Sequence, residues 1–520
     1  MKLNRKLITL IILTFNIYCY SQFSGGSGTE EDPYQIATAE DLNNIRYYLT
    51  SNFIQTADID LGVAPWNEGE GWDPIGDYNL FDPLKSFRGN YDGDSFTIFN
   101  LYINRPSESY LGLFASSEDC VLEDISIKNY NIIGGAAIGG LVAISYNDDV
   151  SNCIVNGTIV GGSELGLLIY FFEGYNIKDC HAEGDINAER GYVGGLISMC
   201  NADSVRNCSA KVTITANANF VGGFFGYCID TDLIENCYSE SDITAQNCDW
   251  VGGFIGGYPV LNNPVTIKYS FSKGALYSNP LLINTGIGGF IGQISGYEIA
   301  TIQNCYSSVE VTGNDKVGGF AGSIYEYTSI QNCYSTGQVT GNTNVGGFAG
   351  IIQNSENVTI TNSYWDTETS GIDSSAAGEG RTTPEMTLPY SGNTYVGWDF
   401  VNVWKDDTAN QNNGYPTFLW VSGIEEDDDY MIPETSRLYQ NYPNPFNPVT
   451  QIRFDLAKTG NVKLSVYNIN GQKVAELLNG VQNAGIHTVE FDGSYLNSGV
   501  YYYTLEADSR EMSRKMLLVK

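Results

Sequence analysis

Eleven cysteines, two histidines and 60 carboxylates are the side chains in this 520-residue chain able to ligate a metal, attack a carbonyl or shuttle a proton. Nucleophilic catalysis of the Ser-His-Asp or Cys-His kind needs an imidazole beside the nucleophile. The two histidines, His181 and His487, fall in regions of different character, so no such site is expected. No two cysteines stand in C-x-x-C spacing, no H-E-x-x-H occurs and no D-x-[DN]-x-[DN]-G run is present. Structural zinc, a metalloprotease helix and an EF-hand loop are therefore not expected, and no catalytic residue, metal ligand or cofactor is assigned. The enzymatic chemistry left is that of paired carboxylates acting on a glycosidic bond. Asp58/Asp60, Asp92/Asp94 and Asp148/Asp149 are candidates by proximity, but 52 acids between residues 23 and 432 supply such neighbours by chance.

The cysteines carry a second regularity. Cys153, Cys180, Cys208, Cys237, Cys305 and Cys333 share one position of a repeat, where Ile125, Ser270 and Ser363 also occur, which describes a small interior slot. The mark around them is I-x-N-C-Y-S, seen at Ile234–Ser239 and Ile302–Ser307. A glycine doublet or its one-glycine remnant alternates with it, beginning at Gly112, Gly139, Gly166, Gly194, Gly222, Gly252, Gly288, Gly318 and Gly346. The intervals are 27, 27, 28, 28, 30, 36, 30 and 28 residues. The doublets do not open helices in βαβ units and are not phosphate loops; recurrence accounts for them.

A period near 28 with short alternating runs such as "GQVTG", and with no 3.6-residue spacing, predicts short strands joined by glycine and asparagine turns. One such unit cannot bury its own apolar face, whereas coils stacked at about 4.8 Å bury a continuous core and pair every strand with its neighbours. The expectation is a parallel β-solenoid of about nine or more coils, on the order of 40 Å long before its N-terminal part is added. Val193, Val221, Val251, Ile287, Val317 and Val345, before the doublets, and Leu196, Phe224, Phe254, Phe290, Phe320 and Phe348, after them, are assigned to the interior, with the glycines permitting tight corners. Asn152, Asn207, Asn236, Asn304, Asn332 and Asn362 form a turn ladder bonded coil to coil.

Parallel side-chain vectors suit a disulfide torsion poorly, so the cysteine ladder is expected as stacked free thiols. Cys200 and Cys228, each five residues beyond a doublet, are the candidate disulfide in an oxidising exterior. If Cys237 points inward, Tyr238 points outward, and Phe271, Tyr306, Tyr334 and Tyr364 continue the row on successive coils. An exposed row of this kind is a candidate contact for sugar rings or a protein partner; cross-rung stacking that only stabilises the sheet is the alternative. Insertions at Tyr258–Val265 and Tyr277–Asn284 in the 36-residue interval mark the same side as the preferred contact face.

The repeated V-G-G-F-x-G with its N-C-Y-S companion resembles the GLUG repeat of bacterial surface proteins, some of them adhesins. "EEDPYQIATAEDLNNI", "GWDPIG" and "FRGNYDGDSFTIFNL" look like the N-terminal lead-in of such proteins, and "NSYWDTETSG" with "NNGYPTF" looks like their C-terminal end. The resemblance spans roughly residues 25–420 and implies fold and surface location, hardly a ligand. "LYQNYPNPFNPVTQIRFDL", "NINGQKV" and "LNSGVYYYTL" resemble, in that order, the C-terminal sorting domain of type IX secretion substrates in Bacteroidota. That resemblance implies a small immunoglobulin-like β-sandwich that addresses the protein across the outer membrane through the type IX machinery and is removed afterwards.

Charge is divided unevenly: residues 23–432 carry 14 basic side chains against 52 acidic ones, and residues 433–520 carry 9 against 8. An acidic body excludes nucleic acid and anionic membrane as partners. The basic, then apolar, N-terminus reads as a secretory signal peptide. The expected organisation is a signal peptide (1–21), an N-terminal lead-in and capping region (22–110), the repeat solenoid (111–370), its C-terminal cap (371–424), an acidic linker (425–436) and the sorting domain (437–520). Such a chain reads as a monomeric, non-enzymatic rod at the outer-membrane surface or outside the cell, serving adhesion or contact with a glycan or protein. A glycan-active lyase or hydrolase on the same scaffold, and a passive spacer or coat component, are the alternatives.

Overall fold

A computed structural model describes residues 22–78, 85–279, 286–421 and 436–520, apart from 439–440, 442–443, 445, 457, 459, 483–484 and 508–509. The expected signal peptide, nearly all of the expected acidic linker and part of the second insertion lie outside these residues.

The period seen in the sequence is the rise from one coil to the next. Tyr34, Phe53, Tyr91, Leu122, Val150, Ile177, Val205, Ile234, Ile267, Ile302, Ile330 and Ile360 pair in unbroken parallel register. At about 4.8 Å per rung this column is about 50 Å long. The I of I-x-N-C is its central part. Each coil contributes strands to two parallel sheets, as Ser209–Ala216 and Phe220–Gly222 do to one and Phe225–Cys228 and Leu233–Glu235 to the other. The chain is therefore a parallel β-solenoid, and its rungs begin well before the first glycine mark.

Two corners recur. At one, Asn152, Asn207, Asn236, Asn304, Asn332 and Asn362 all have φ between 47° and 55°. That left-handed conformation is one asparagine tolerates better than most residues. Their amides bond down the stack, Asn236 Nδ2 to Asn207 Oδ1 at 3.2 Å and Asn332 Nδ2 to Asn304 Oδ1 at 3.3 Å. Asp124 and Asp179 continue the ladder as acceptors for Asn152 and Asn207. At the other corner the doublet glycines do not use the positive φ expected of a tight turn. They are needed for close approach instead: a Cβ on Gly222 would lie 1.8 Å from the Phe225 carbonyl oxygen, and one on Gly223 2.1 Å from that of Gly253. The corner is sealed by amide bonds between rungs, such as Gly223 N to Gly252 O at 3.2 Å.

Just inside the glycine corner, Phe224, Phe254, Phe290, Phe320 and Phe348 stack with ring centroids 4.6 to 4.9 Å apart and no solvent exposure. The preceding valine-type column is buried except at Val345, which is half-buried. At the N-terminal end, Thr38 caps a short helix, Ala39–Asn44, accepting from Asp41 N at 3.1 Å, and Leu42 and Ile45 sink into the core.

The C-terminal unit is separate in kind. Three antiparallel strands (Arg437–Leu438, Val449–Leu456, Gly485–Asp492) and four more (Gly460–Asn468, Lys473–Gln482, Gly499–Ala507, Arg510–Leu518) share an apolar core that includes Ile452, Leu464 and Tyr503. The hairpin between Asn468 and Lys473 turns through Gly471 at φ 74°.

Candidate functional site

The cysteine slot explains itself by hydrogen bonding. Each thiol donates to the carbonyl two residues earlier, as Cys208 Sγ does to Arg206 O at 3.1 Å. Cys208 Sγ in turn accepts from Cys180 N of the neighbouring rung at 3.4 Å. Serine performs both tasks where it substitutes: Ser270 Oγ donates to Lys268 O and accepts from Cys237 N. Desolvation holds the Cys153, Cys208 and Cys305 thiols well above their ordinary pKa, and all six thiols are fully buried and hydrogen-bonded to backbone carbonyls, so the ladder is a structural seam. Cys200 and Cys228 do face each other on adjacent rungs, but they are not joined. Thr231 Oγ1 lies between them, 3.3 Å from Cys228 Sγ and 3.7 Å from Cys200 Sγ, correcting the disulfide expected from sequence.

The aromatic row also needs correcting. Tyr238, Phe271, Tyr306 and Tyr334 point outward and stack in parallel, with centroids 4.9, 4.8 and 4.9 Å apart and planes within 6°. They are not a contact face, because residues 386–421 fold back over them. Phe271, Tyr306, Tyr334 and Tyr364 are all at most 2% exposed, sharing a second apolar cluster with Tyr395, Trp398, Trp404 and Phe418, and Tyr238 is half-buried. Tyr334 Oη donates to Pro416 O at 2.6 Å and accepts from Asn412 Nδ2 at 2.8 Å, locking the cover down. Nothing in the repeat pattern announces this cover, which has no repeat of its own.

Of the carboxylates proposed by proximity, Asp58, Asp60, Asp92, Asp148 and Asp149 serve as structural acceptors, and Asp94 Oδ1 lies 3.7 Å from Arg514 Nη2. Asp58 Oδ1 accepts from Thr97 N, and Asp60 Oδ1 from Gly62 N and Asn100 Nδ2. Asp92 Oδ1 accepts from Asp94 N. Asp148, fully buried, is held by Ser117 Oγ and Ser145 Oγ, both at 2.6 Å, and by Cys120 N at 3.0 Å.

The concave surface begins two residues beyond the covered row, with its floor three residues beyond. A groove of about 780 Å³ crosses the outer face of six coils, from Asn129 and Tyr130 to Lys273 and Gly274. Its floor is the register position Gly157, Gly184, Val212, Ser241 and Gly274. A Cβ on Gly184, at φ 147°, would lie 1.8 Å from Gly157 O, so glycine is required there. One wall is the column Asn156, Glu183, Lys211, Glu240 and Lys273; the other runs Thr158, Asp185, Thr213, Asp242. Lys211 Nζ pairs with Glu183 Oε1 at 3.4 Å. Lys273 Nζ lies 5.2 Å over the Phe271 ring, and burial holds its pKa below the ordinary lysine value despite Glu240 and Asp407 nearby. The groove thus presents four carboxylates and two ammonium groups on a rigid ribbon. It was legible: the residue three beyond the cysteine slot alternates Glu183, Lys211, Glu240, Lys273.

With the geometry in view, the comparisons divide the chain as the fold does. The family described as secretion system C-terminal sorting domain matches residues 440–520, and the GLUG motif matches residues 283–312 and 313–340. Halomucin of Haloquadratum walsbyi is 37% identical over 140 residues, 26% of this chain and 2% of that protein. A protein described as a Gly-rich membrane protein of Evansella cellulosilytica is 37% identical over 139 residues, 25% of this chain and 16% of that protein. This chain therefore aligns with only a small part of either relative's length. The sorting-domain match implies interaction with type IX secretion machinery and export to the cell surface or outside, and the two GLUG copies lie on the β-solenoid that precedes it. Among the described residues no helix is long and apolar enough to cross a membrane.

Proposed function

We propose that the solenoid is a surface-displayed binding scaffold that contacts a glycan or protein through the cross-rung groove. The observation that carries this reading is the groove itself, whose charged walls are repeated at rung spacing on a backbone fixed by parallel pairing. A rigid row of donors and acceptors recognises an extended polymer with little ordering cost on the protein side. Binding of the full-length protein to an array of neutral, amino and acidic glycans tests it. Hits should weaken on Glu240→Gln and Lys273→Gln without loss of fold. Hits unaffected by both substitutions refute the groove as the contact, and no hit on glycans or surface proteins favours a passive spacer.

A second reading is favoured by one specific feature. Glu183 and Asp185, and likewise Glu240 and Asp242, line the groove two residues apart on one strand, and a glycosidase works through two carboxyl groups flanking the scissile bond. New reducing ends or unsaturated products from a bound glycan, abolished by Glu240→Gln, would establish a glycan-active enzyme; binding without product rejects it.

A further inference from the structure

We propose that the first coils of the rod carry a docking surface for the chain's own sorting domain, in which Asp124 and Asp94 receive Arg437 and Arg514, so that rod and tail form one body. Arg437 Nη1 donates to both carboxylate oxygens of Asp124, at 2.8 and 2.9 Å. Arg514 Nη2 stands 3.7 Å from Asp94 Oδ1, and its Nε donates to Leu438 O at 3.1 Å, which fixes this guanidinium beside the strand that bears Arg437. Both aspartate side chains are only 15% exposed.

Three observations mark a built surface. First, the rod gathers negative charge there. Asp92 and Glu123 are register partners on adjacent coils, beside Asp94 and Asp124 in the chain, so four carboxylates share one spot. Burial pushes the Asp94 carboxyl up to about 6 and also raises Asp92 and Glu123, while the two arginines work against that rise. Crowded, half-buried carboxylates disfavour one another's charge, and cations seated on them offset that cost. Second, Arg437–Leu438 and Arg510–Leu518 are each the edge strand of their own sheet and lie against one another, so the arginines stand on one side of the sandwich. An edge is the part of a sheet that has to be charged or covered. Third, the chain is led to this spot. Trp398 lies against Tyr364, Trp404 against Tyr334 and Tyr306, and Trp420 against Phe271 and Tyr238, so the segment covering the aromatic row runs back towards the N-terminal coils. Asp124 belongs to the asparagine corner two residues before that row, and lies four rungs, or about 19 Å, from Asn236.

Charge also selects the occupant. Residues 23–432 carry 14 basic side chains against 52 acidic ones, so a second rod would be repelled, whereas residues 433–520 carry 9 against 8.

Double electron–electron resonance on the full-length protein, with spin labels at Thr158 on the rod and Tyr495 on the tail, reads the contact. A narrow distance distribution is expected at low ionic strength, broadening at about 1 M salt, where charges are screened within about 3 Å. Arg437→Gln and Asp124→Asn should each lower the ratio of docked to undocked molecules about fivefold, the worth of one partly exposed charge-assisted contact. Asparagine at 124 keeps the corner, because Asn152, Asn207 and Asn236 already hold that register at positive φ. The double variant should be no worse than either single one, since both remove the same pair. Lys463→Gln, which breaks an ion pair to Glu506 within the tail, should leave the distribution unchanged. A broad distribution in the unaltered protein at low salt, a narrow one indifferent to salt and to both variants, or effects that add in the double variant would overturn the proposal.

Discussion

Tyr334 offers the sharpest quantitative test of how the repeat region is closed. Its ring is 1% exposed, stacks on Tyr306 at 4.9 Å and meets Trp404 at 6.0 Å and Tyr415 at 6.1 Å. Its hydroxyl joins Pro416 O and Asn412 Nδ2. Tyr334→Phe removes only the hydroxyl, and Pro416 O keeps Asn412 Nδ2 at 3.1 Å, so the expected cost is about 1–2 kcal/mol. Tyr334→Ala deletes the ring as well, for about 3–5 kcal/mol. The loss should be local. Residues 386–421 fold over the row from outside, so the alanine variant should exchange amides faster around Trp404 and Leu419, whose amides bond to Asp399 O and Val403 O. The rungs near Val205 should keep native protection. Hydrogen exchange read by mass spectrometry, with chemical denaturation of both variants, measures this. If Tyr334→Ala altered neither stability nor exchange in 386–421, the ring would have to be solvent-facing, as the sequence alone suggests, and the cover would be wrong.

Other expectations follow from single residues. Burial holds His181 neutral in the fold, its pKa depressed to about 4 beside Ser209 Oγ at 2.8 Å. The unfolded chain binds a proton there below about pH 6.5, so this residue's contribution is present above that pH and is lost as pH falls towards 4. Allowing for the partial exposure of the ring, that loss should be about 2 kcal/mol, and His181→Gln should flatten thermal stability across this window; an unchanged profile would contradict it. Gly253→Ala places a Cβ 2.1 Å from Gly289 O and should cost at least about 3 kcal/mol, whereas Gly471→Ala, with open space around it, should cost about 1 kcal/mol from its φ alone; equal melting temperatures would refute the close-approach reading. Cys208→Ser should change stability by about 1 kcal/mol or less, because serine already fills the slot at Ser270 and Ser363, whereas Cys208→Leu, overpacking a slot bounded by thiols on both neighbouring rungs, should cost about 1–3 kcal/mol. A denaturation midpoint for the leucine variant matching the serine variant would count against the slot.

Much of the fold was legible because a solenoid writes its geometry as a period. The isoleucine of I-x-N-C, the phenylalanine after the doublet and the αL asparagine each recur because each is one column of stacked side chains. The reason for the glycines was not legible, since a sequence cannot tell positive φ from a backbone one rung away. The burial of Phe271, Tyr306 and Tyr334 was hidden for a different reason: their cover comes from Trp398, Trp404 and Phe418, in a segment with no repeat and therefore no register. The groove stands at a fixed offset from a mark already recognised, its charged wall three residues beyond the cysteine. It was overlooked because the charge alternation occupies only four coils, Glu183 to Lys273.

Distances along the rod test coil stacking most directly. Thr158, Asp185, Thr213, Asp242, Ala275 and Glu310 form one exposed or half-exposed register column. Spin labels at Thr158 and Glu310, read by double electron–electron resonance, should give one narrow distribution centred near about 24 Å, five rungs at about 4.8 Å each. Moving the first label to Asp185 should shorten it by about one rung. A broad distribution, or a mean that fails to shorten with that move, would contradict the stacked parallel coils on which the fold and both surfaces depend.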